Sequence, residues 1–209
     1  MKALLIDDHT LFRDALGLLI GARFPALRLL QAGDLAGGLA ELALHPDVRL
    51  ILLDLNLPDS QSPASIERLR EKVPLARLVV LSADDRAETV EHAIELGACG
   101  FVPKTARGDT LMQALQVTLD GGDFLPPSAL PTAAQPLPRQ AASLGLSPRQ
   151  TDVLRLLIEG LSNKLICREL VLSESTVKTH LAAVFRQLDV NTRTQAVLAA
   201  ARLGLRFAN

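Results

Sequence analysis

The 209-residue chain has no Trp and no Tyr, and six Phe are its whole aromatic complement. That argues against a stacking platform for single-stranded nucleic acid and against an aromatic-lined small-molecule sensor pocket. Cysteine is scarce. Cys99 and Cys167 lie far apart with no Cys-x-x-Cys or Cys/His spacing, so neither a disulfide framework nor a zinc site is indicated. No apolar run approaches the roughly 18 residues of a membrane span. The opening Met1-Lys2-Ala3-Leu4-Leu5-Ile6-Asp7-Asp8 reaches two acids too soon for a secretory signal. The expectation is a cytoplasmic protein with no membrane segment.

What is present is an uneven charge. Residues 1–122 hold 12 Lys and Arg against 17 Asp and Glu, a net of −5, whereas residues 143–209 hold 9 against 5, a net of +4. An acidic half followed by a basic half predicts two domains with different partners. Apolar residues are 48% of the chain, enough for packed cores in both.

The first half alternates two patterns. Apolar runs at Ala3–Ile6, Leu27–Leu30, Leu50–Leu53, Leu78–Leu81 and Gly100–Val102 suit strands buried on both faces. Between them lie helical spacings: Leu11, Ala15, Leu18 and Leu19; Leu35, Leu39, Leu42 and Ala43; Val90, Ala93 and Ile94; Leu111, Ala114, Leu115 and Leu119. Gly97 and Gly121-Gly122 read as helix stops. Five strand–helix units imply a parallel sheet covered on both sides, a doubly wound (βα)5 domain of the α/β class over residues 1–122. Residues 123–145, with Pro126, Pro127, Pro131, Pro136 and Pro138, read as a linker. Residues 146–209 read as a small all-α module of four helices, with Ser147-Pro148, Ser162, Ser173 and Thr192 at helix starts. Leu165, Ile166 and Leu170 are expected to face inward.

In an open α/β sheet the working crevice lies at the carboxyl ends of the strands. Asp7, Asp8, Asp54, Ser82 and Lys104 fall at those ends. Crowded carboxylates repel and need a cation, and oxygen ligands of this kind suit Mg²⁺. A phosphoryl group there could be attacked by an aspartate, paired by Lys104 and hydrogen-bonded by Ser82.

Asp7-Asp8-His9, Leu53-Asp54-Leu55-Asn56-Leu57-Pro58, Leu81-Ser82-Ala83 and Gly100-Phe101-Val102-Pro103-Lys104 resemble, in order and spacing, the motifs of a two-component receiver domain. The resemblance implies that Asp54 is the phosphoacceptor. It implies that Asp8 and Asp54 ligate Mg²⁺ through side chains, Asn56 through its carbonyl and Asp7 through water. Ser82 and Phe101 would be the switch pair, with Phe101 turning inward. Two departures stand out. Ser62 replaces a usual glycine after the phosphoacceptor, with Asp59 adding negative charge nearby, and Thr105 follows Lys104 in place of the frequent proline.

In the basic half, about 100° per residue sets Val177, Leu181, Val184 and Leu188 on one stripe of the long helix and Lys178, Thr179, Ala182, Ala183 and Arg186 opposite. Positive ends and small residues suit a DNA major groove. Asn163, Lys164, Ser175 and Thr176, at helix starts, are placed to meet phosphates. Leu146-Ser147-Pro148-Arg149-Gln150, Glu159-Gly160-Leu161-Ser162-Asn163-Lys164 and Ser173-Glu174-Ser175-Thr176-Val177-Lys178-Thr179-His180 resemble the LuxR-type helix-turn-helix. Gln150 stands where Glu is common. The last helix, with Ala196, Val197, Ala200, Ala201 and Leu203, packs in the module, and the family implies that it also pairs with its twin on DNA.

The combination is similar to the NarL/FixJ family of response regulators. It implies a transcription regulator, not an enzyme. A sensor histidine kinase would phosphorylate it on Asp54, and it would act on double-stranded promoter DNA as a homodimer. The alternative is a LuxR-type regulator that works without phosphorylation. An aspartate-nucleophile phosphohydrolase would want a carboxylate where Asn56 stands.

Overall fold

The computed structural model describes residues 1–61, 64–126 and 144–205. Ser62 and most of the expected linker lie outside the described residues. Five strands, β1 (Lys2–Ile6), β2 (Arg28–Ala32), β3 (Val48–Asp54), β6 (Arg77–Ser82) and β7 (Gly100–Pro103), form a sheet in the order β2-β1-β3-β6-β7, parallel throughout. The apolar runs work because side chains alternate across a sheet covered on both sides. Leu4, Ile6, Ile51, Leu53, Leu78, Val80 and Phe101 enter one core, while Ala3, Leu5, Leu50, Leu52, Val79, Leu81 and Val102 enter the other. Helices α2 (Leu35–Leu44), α3 (Ala64–Lys72) and α4 (Ala87–Glu95) cover the first face, and α1 (Thr10–Arg23) and α5 (Gly108–Leu119) the second.

Helix α1 turns a different face inward from the one expected. Leu16 and Ile20 are buried, and Leu11 and Leu18 are exposed at 83% and 77%. Both pairs have helical spacing, and periodicity alone does not say which meets the sheet. A short hairpin, β4 (Asn56–Leu57) with β5 (Ser60–Gln61), follows the third strand directly. Gly97 and Gly121 end their helices at φ of +102° and +83°, a region that glycine enters without a Cβ clash.

Past α5 the chain stays attached to the sheet. Phe124 bridges Gly100, and its carbonyl accepts the Phe101 N–H at 2.9 Å.

The second half packs α6 (Pro148–Ile158), α7 (Asn163–Leu170), α8 (Glu174–Gln187) and α9 (Arg193–Arg202) around Val153, Leu154, Leu157, Ile166, Val177, Leu181, Val184 and Ala196. Ser147 and Gln150 close a reciprocal capping box at α6, so the amide side chain fills the place where Glu is common. Ser162 starts α7 without a side-chain cap. Leu165 is a second correction: it is 47% exposed while Ile166 carries the burial, because an eight-residue helix packs on one narrow stripe.

The two halves touch. Leu198 of α9, 3% exposed, joins the core beneath α4. On the same face, Gln195 Nε2 donates to the Glu95 carbonyl at 2.9 Å, and Arg202 Nη2 lies 2.8 Å from Glu91 and 3.3 Å from Glu95.

Candidate phosphoryl and DNA sites

The carboxyl ends of β1, β3, β6 and β7 bring their polar residues to one rim. Asp7, Asp54 and Ser82 are at most 1% exposed. Such burial of carboxylates requires a counter-charge. Lys104 supplies it: its ammonium donates to Asp54 Oδ2 at 2.6 Å and lies 2.8 Å from Asp7 Oδ2. The second contact is an ion pair off the line of a hydrogen bond, and Asp7 Oδ2 has no hydrogen-bond partner among the described residues. Burial by itself would lower the Lys104 pKa, but the contacts with Asp54 and Asp7 outweigh it and raise the pKa.

Local backbone holds these groups in place. Asp54 Oδ1 accepts the Asn56 N–H at 3.1 Å from the hairpin. Asp7 Oδ1 accepts the His9 N–H at 2.8 Å, and Arg13 donates to the Asp7 carbonyl. The Lys104 N–H donates to the Ser82 carbonyl at 2.7 Å, tying β7 to β6 behind the site. Ser82 Oγ accepts the Asp84 N–H at 3.1 Å. Phe101 is completely buried and already turned inward. Asp59 points elsewhere: its carboxylate caps α2 by accepting the Leu35 and Ala36 N–H groups at 2.9 and 2.8 Å.

Sequence reasoning gave His9 no role. Its Nδ1 lies 2.6 Å from Asp8 Oδ1 and 3.8 Å from Asp54 Oδ2, and one ligand atom from each of Asp7, Asp8, His9 and Asp54 falls within 4.8 Å of the others. Adjacency to Asp8 was the available signal. The donor set fits a hard divalent cation: three carboxylates face one ammonium, and a buried carboxylate oxygen has no hydrogen-bond donor.

The second site is the outer face of α8. Ser173 caps that helix, accepting the Thr176 N–H at 3.1 Å, and its hydroxyl lies 2.8 and 2.7 Å from those of Ser175 and Thr176. Val177, Leu181 and Val184 face the core as the stripe requires. Lys178, Thr179, Ala182 and Arg186 are exposed on the other side. Lys178 pairs with Glu174 at 2.8 Å, and Thr179 donates to the Ser175 carbonyl at 3.0 Å. Asn163 and Lys164 start α7, where Ser162, Lys164 and Arg168 share a cavity of about 340 Å³ with Val117, Asp120 and Gly122 at the end of α5. The turn between α7 and α8 places Val171 at φ 53°, strained for a β-branched residue, with its side chain 90% exposed.

A family model described as "Response regulator receiver domain" matches residues 3–116, and one described as "Bacterial regulatory proteins, luxR family" matches residues 144–200. The chain belongs to the LuxR-type response regulators. It is 35% identical over 208 residues to the glycerol metabolism activator of Pseudomonas putida, covering 95% of this chain and 94% of that one. It is 34% identical over 200 residues to the nitrate/nitrite response regulator protein NarL of Escherichia coli K12, covering 93% and 92%. Among solved structures, a LuxR family DNA-binding response regulator from Silicibacter pomeroyi aligns with 61% of this chain and 97% of its own, at 30% identity and a TM-score of 0.54.

This response regulator is therefore a DNA-binding regulator of transcription and not an enzyme. No helix among the described residues is long and apolar enough to cross a membrane.

Proposed function

We propose that this response regulator works in the cytoplasm and that a sensor histidine kinase phosphorylates it on Asp54. Phosphorylation then governs how it binds double-stranded promoter DNA as a homodimer. The observation that carries this reading is the half-buried Lys104 ammonium held between the buried carboxylates of Asp54 and Asp7. Asp54 is the nucleophile toward phosphorus. Lys104 is placed to pair with phosphoryl oxygens, and the Ser82 hydroxyl to donate to one. Mg²⁺ would be held by Asp8 and Asp54 side chains, with the Asn56 carbonyl and, through water, Asp7; it would neutralise charge on the incoming group. Ser82 and Phe101 are the switch pair.

The reading of DNA rests on Lys178, Thr179, Ala182 and Arg186 along α8, with Asn163, Lys164, Ser175 and Thr176 for phosphates. The contact between α4 and α9 supports the coupling. The receiver face beside Phe101 holds the helix that would pair with its twin, so a change at Asp54 can release it. A bias of a few kcal/mol suffices to shift such a population by orders of magnitude.

Incubation with labelled acetyl phosphate and Mg²⁺ tests the site. The native protein takes up label, and Asp54→Asn and chelated samples do not. Undiminished labelling of Asp54→Asn would refute the assignment.

A further inference from the structure

The receiver and the helical module meet a second time on the side of the sheet away from Asp54. Arg70 of α3, Arg77 at the start of β6, and Arg193 at the start of α9 line one cavity of about 400 Å³, together with Cys99, Asp123 and Thr194. Two of these arginines come from the receiver and one from the DNA-binding half. Each spends part of its guanidinium on the protein: Arg70 on the carbonyls of Ala76 and Gly97, Arg77 on the carbonyl of Gly122 and on Asp123 Oδ1 at 2.6 Å, and Arg193 on the carbonyl of Leu157 at 2.9 Å. Each also keeps a nitrogen that is shielded from solvent and has no acceptor among the described residues: Arg70 Nε, Arg77 Nε and Arg193 Nη1.

The charges do not balance. Asp123 is the one carboxylate lining the cavity. It is shared between Arg77, at 2.6 Å, and Arg193, at 3.9 Å, while accepting the Thr194 hydroxyl at 2.6 Å. Burial pushes the Cys99 thiol up, so it stays neutral and adds no counter-charge. Burial lowers the pKa of Arg70 and of Arg193, and Arg77 lowers each further, while Asp123 only partly offsets this at Arg193. Residues 62–63, 127–143 and 206–209 contain no Asp or Glu that could return to the cavity. Three guanidiniums against one carboxylate leave two positive charges, and the amino end of α9 points the same sign at the cavity.

We propose that this interdomain cavity binds a divalent oxyanion of the phosphate type, free or as a monoester. It would be held by Arg70 and Arg77 from one half and Arg193 from the other. Guanidinium forks suit such oxyanions, and the charge left by Asp123 matches a dianion. An anion seated there clips α9 to the receiver. It gives the regulator a small-molecule input separate from Asp54, since Arg77 opens its strand at the amino ends of the sheet and Asp54 lies at the carboxyl ends.

The test uses the full-length protein in chelator, which removes divalent cations from the acid rim. Calorimetric titration with inorganic phosphate and, in a second arm, methyl phosphate should show one saturable site. Binding by both assigns the cavity to esters as well as the free ion, and binding by inorganic phosphate alone assigns it to the free ion; either supports the proposal. Arg193→Gln and Arg70→Gln should each weaken binding about tenfold or more, as for a lost charge-assisted contact. Arg23→Gln, a remote arginine at the end of α1, should not change it. Arg70 also braces two loops, so its variant could lose the fold. Asp123→Asn keeps the test decisive, because removing the competing carboxylate should tighten binding several-fold. Absence of saturable binding below about 10 mM, unchanged affinity in Arg193→Gln, or weaker binding in Asp123→Asn overturns the proposal.

Discussion

The acid rim of the receiver and the outer face of α8 are built on opposite plans. On the rim, Asp7, Asp54 and Ser82 are sealed from water, and the two carboxylates share one ammonium. On α8, Lys178 is exposed and paired with a glutamate of its own helix one turn away. Low-dielectric surroundings make each rim group indispensable, since losing one leaves a buried charge without its partner. High-dielectric surroundings make each α8 group replaceable, its worth a small increment among several. On the proposed function, one site takes a covalent event with two outcomes and the other serves graded recognition. Substitutions should therefore act steeply at the rim and gently on α8.

Lys104→Ala is the sharpest way to break that contrast. It should slow labelling of Asp54 by acetyl phosphate at least about a hundredfold, the scale set by deleting one preorganised donor from a buried anion site. It should also lower the melting temperature, because Asp7 and Asp54 would remain buried without a cation. A Lys104→Ala protein labelled at the native rate would mean that this ammonium is only structural.

Between the two sites lies the Leu198 contact. Leu198→Ala should weaken docking of α9 on α4 by about 2–3 kcal/mol, the range for trimming a buried leucine. The core of the helical module should survive, since Leu198 packs with the receiver. Small-angle scattering should report a larger radius of gyration, and unphosphorylated protein should bind DNA nearer the phosphorylated level. Unaltered scattering and DNA affinity would separate the contact from regulation.

How much of this was legible follows from where each residue is buried. Strands covered on both faces print consecutive apolar runs, so the sheet and its rim of Asp7, Asp54, Ser82 and Lys104 could be placed from spacing alone. Helix faces were harder. Leu11 and Leu18 obey the same period as Leu16 and Ile20, and only packing tells them apart. Helix α3 was implied by the count of strand–helix units but no apolar stripe marked it, because Ile66 and Leu69 are its sole buried apolar side chains amid charge. Leu198 lies among alanines, and nothing local reveals that its partner is more than a hundred residues away. Asp59 read as an addition to the acid site because proximity in sequence was its only coordinate; its actual partners are the free N–H groups of α2.

On α8 the expected effects are smaller. Lys178→Ala should weaken specific DNA binding about tenfold. If Lys178 reads a base, the salt dependence of binding keeps its slope; if it meets a phosphate, the slope falls by roughly 0.9. Glu174→Gln should act in the opposite direction and more weakly, because Glu174 both repels DNA and occupies Lys178. Equal losses from the two variants would indicate that the pair positions the helix and does not read DNA.

The gentlest prediction lies on the rim itself, at a carboxylate outside the buried set. Asp84 follows Ser82 by two residues and ties the loop into α4: it accepts from Arg86 Nε at 2.9 Å, Arg86 Nη2 at 2.7 Å, the Arg86 N–H at 3.2 Å and the Thr89 hydroxyl at 2.9 Å. Hydrogen bonds from the Arg86 side chain, then from its backbone and from Thr89, hold the Asp84 pKa far below the usual carboxylate range. A folded-state pKa below the unfolded value means that the unfolded chain binds the proton first. The stabilisation is therefore complete above the unfolded value, about 3.9, and is lost as pH falls through the folded one. Asp84→Asn should melt slightly lower than the native protein at neutral pH, with the gap closing only as the solution is acidified below about pH 4. Because Asp84 is exposed to solvent and salt, that gap should also shrink in high salt, whereas the deficit of Lys104→Ala, set among buried carboxylates, should hardly respond. Equal salt sensitivity in the two variants would erase the distinction between a sealed rim and a solvated surface.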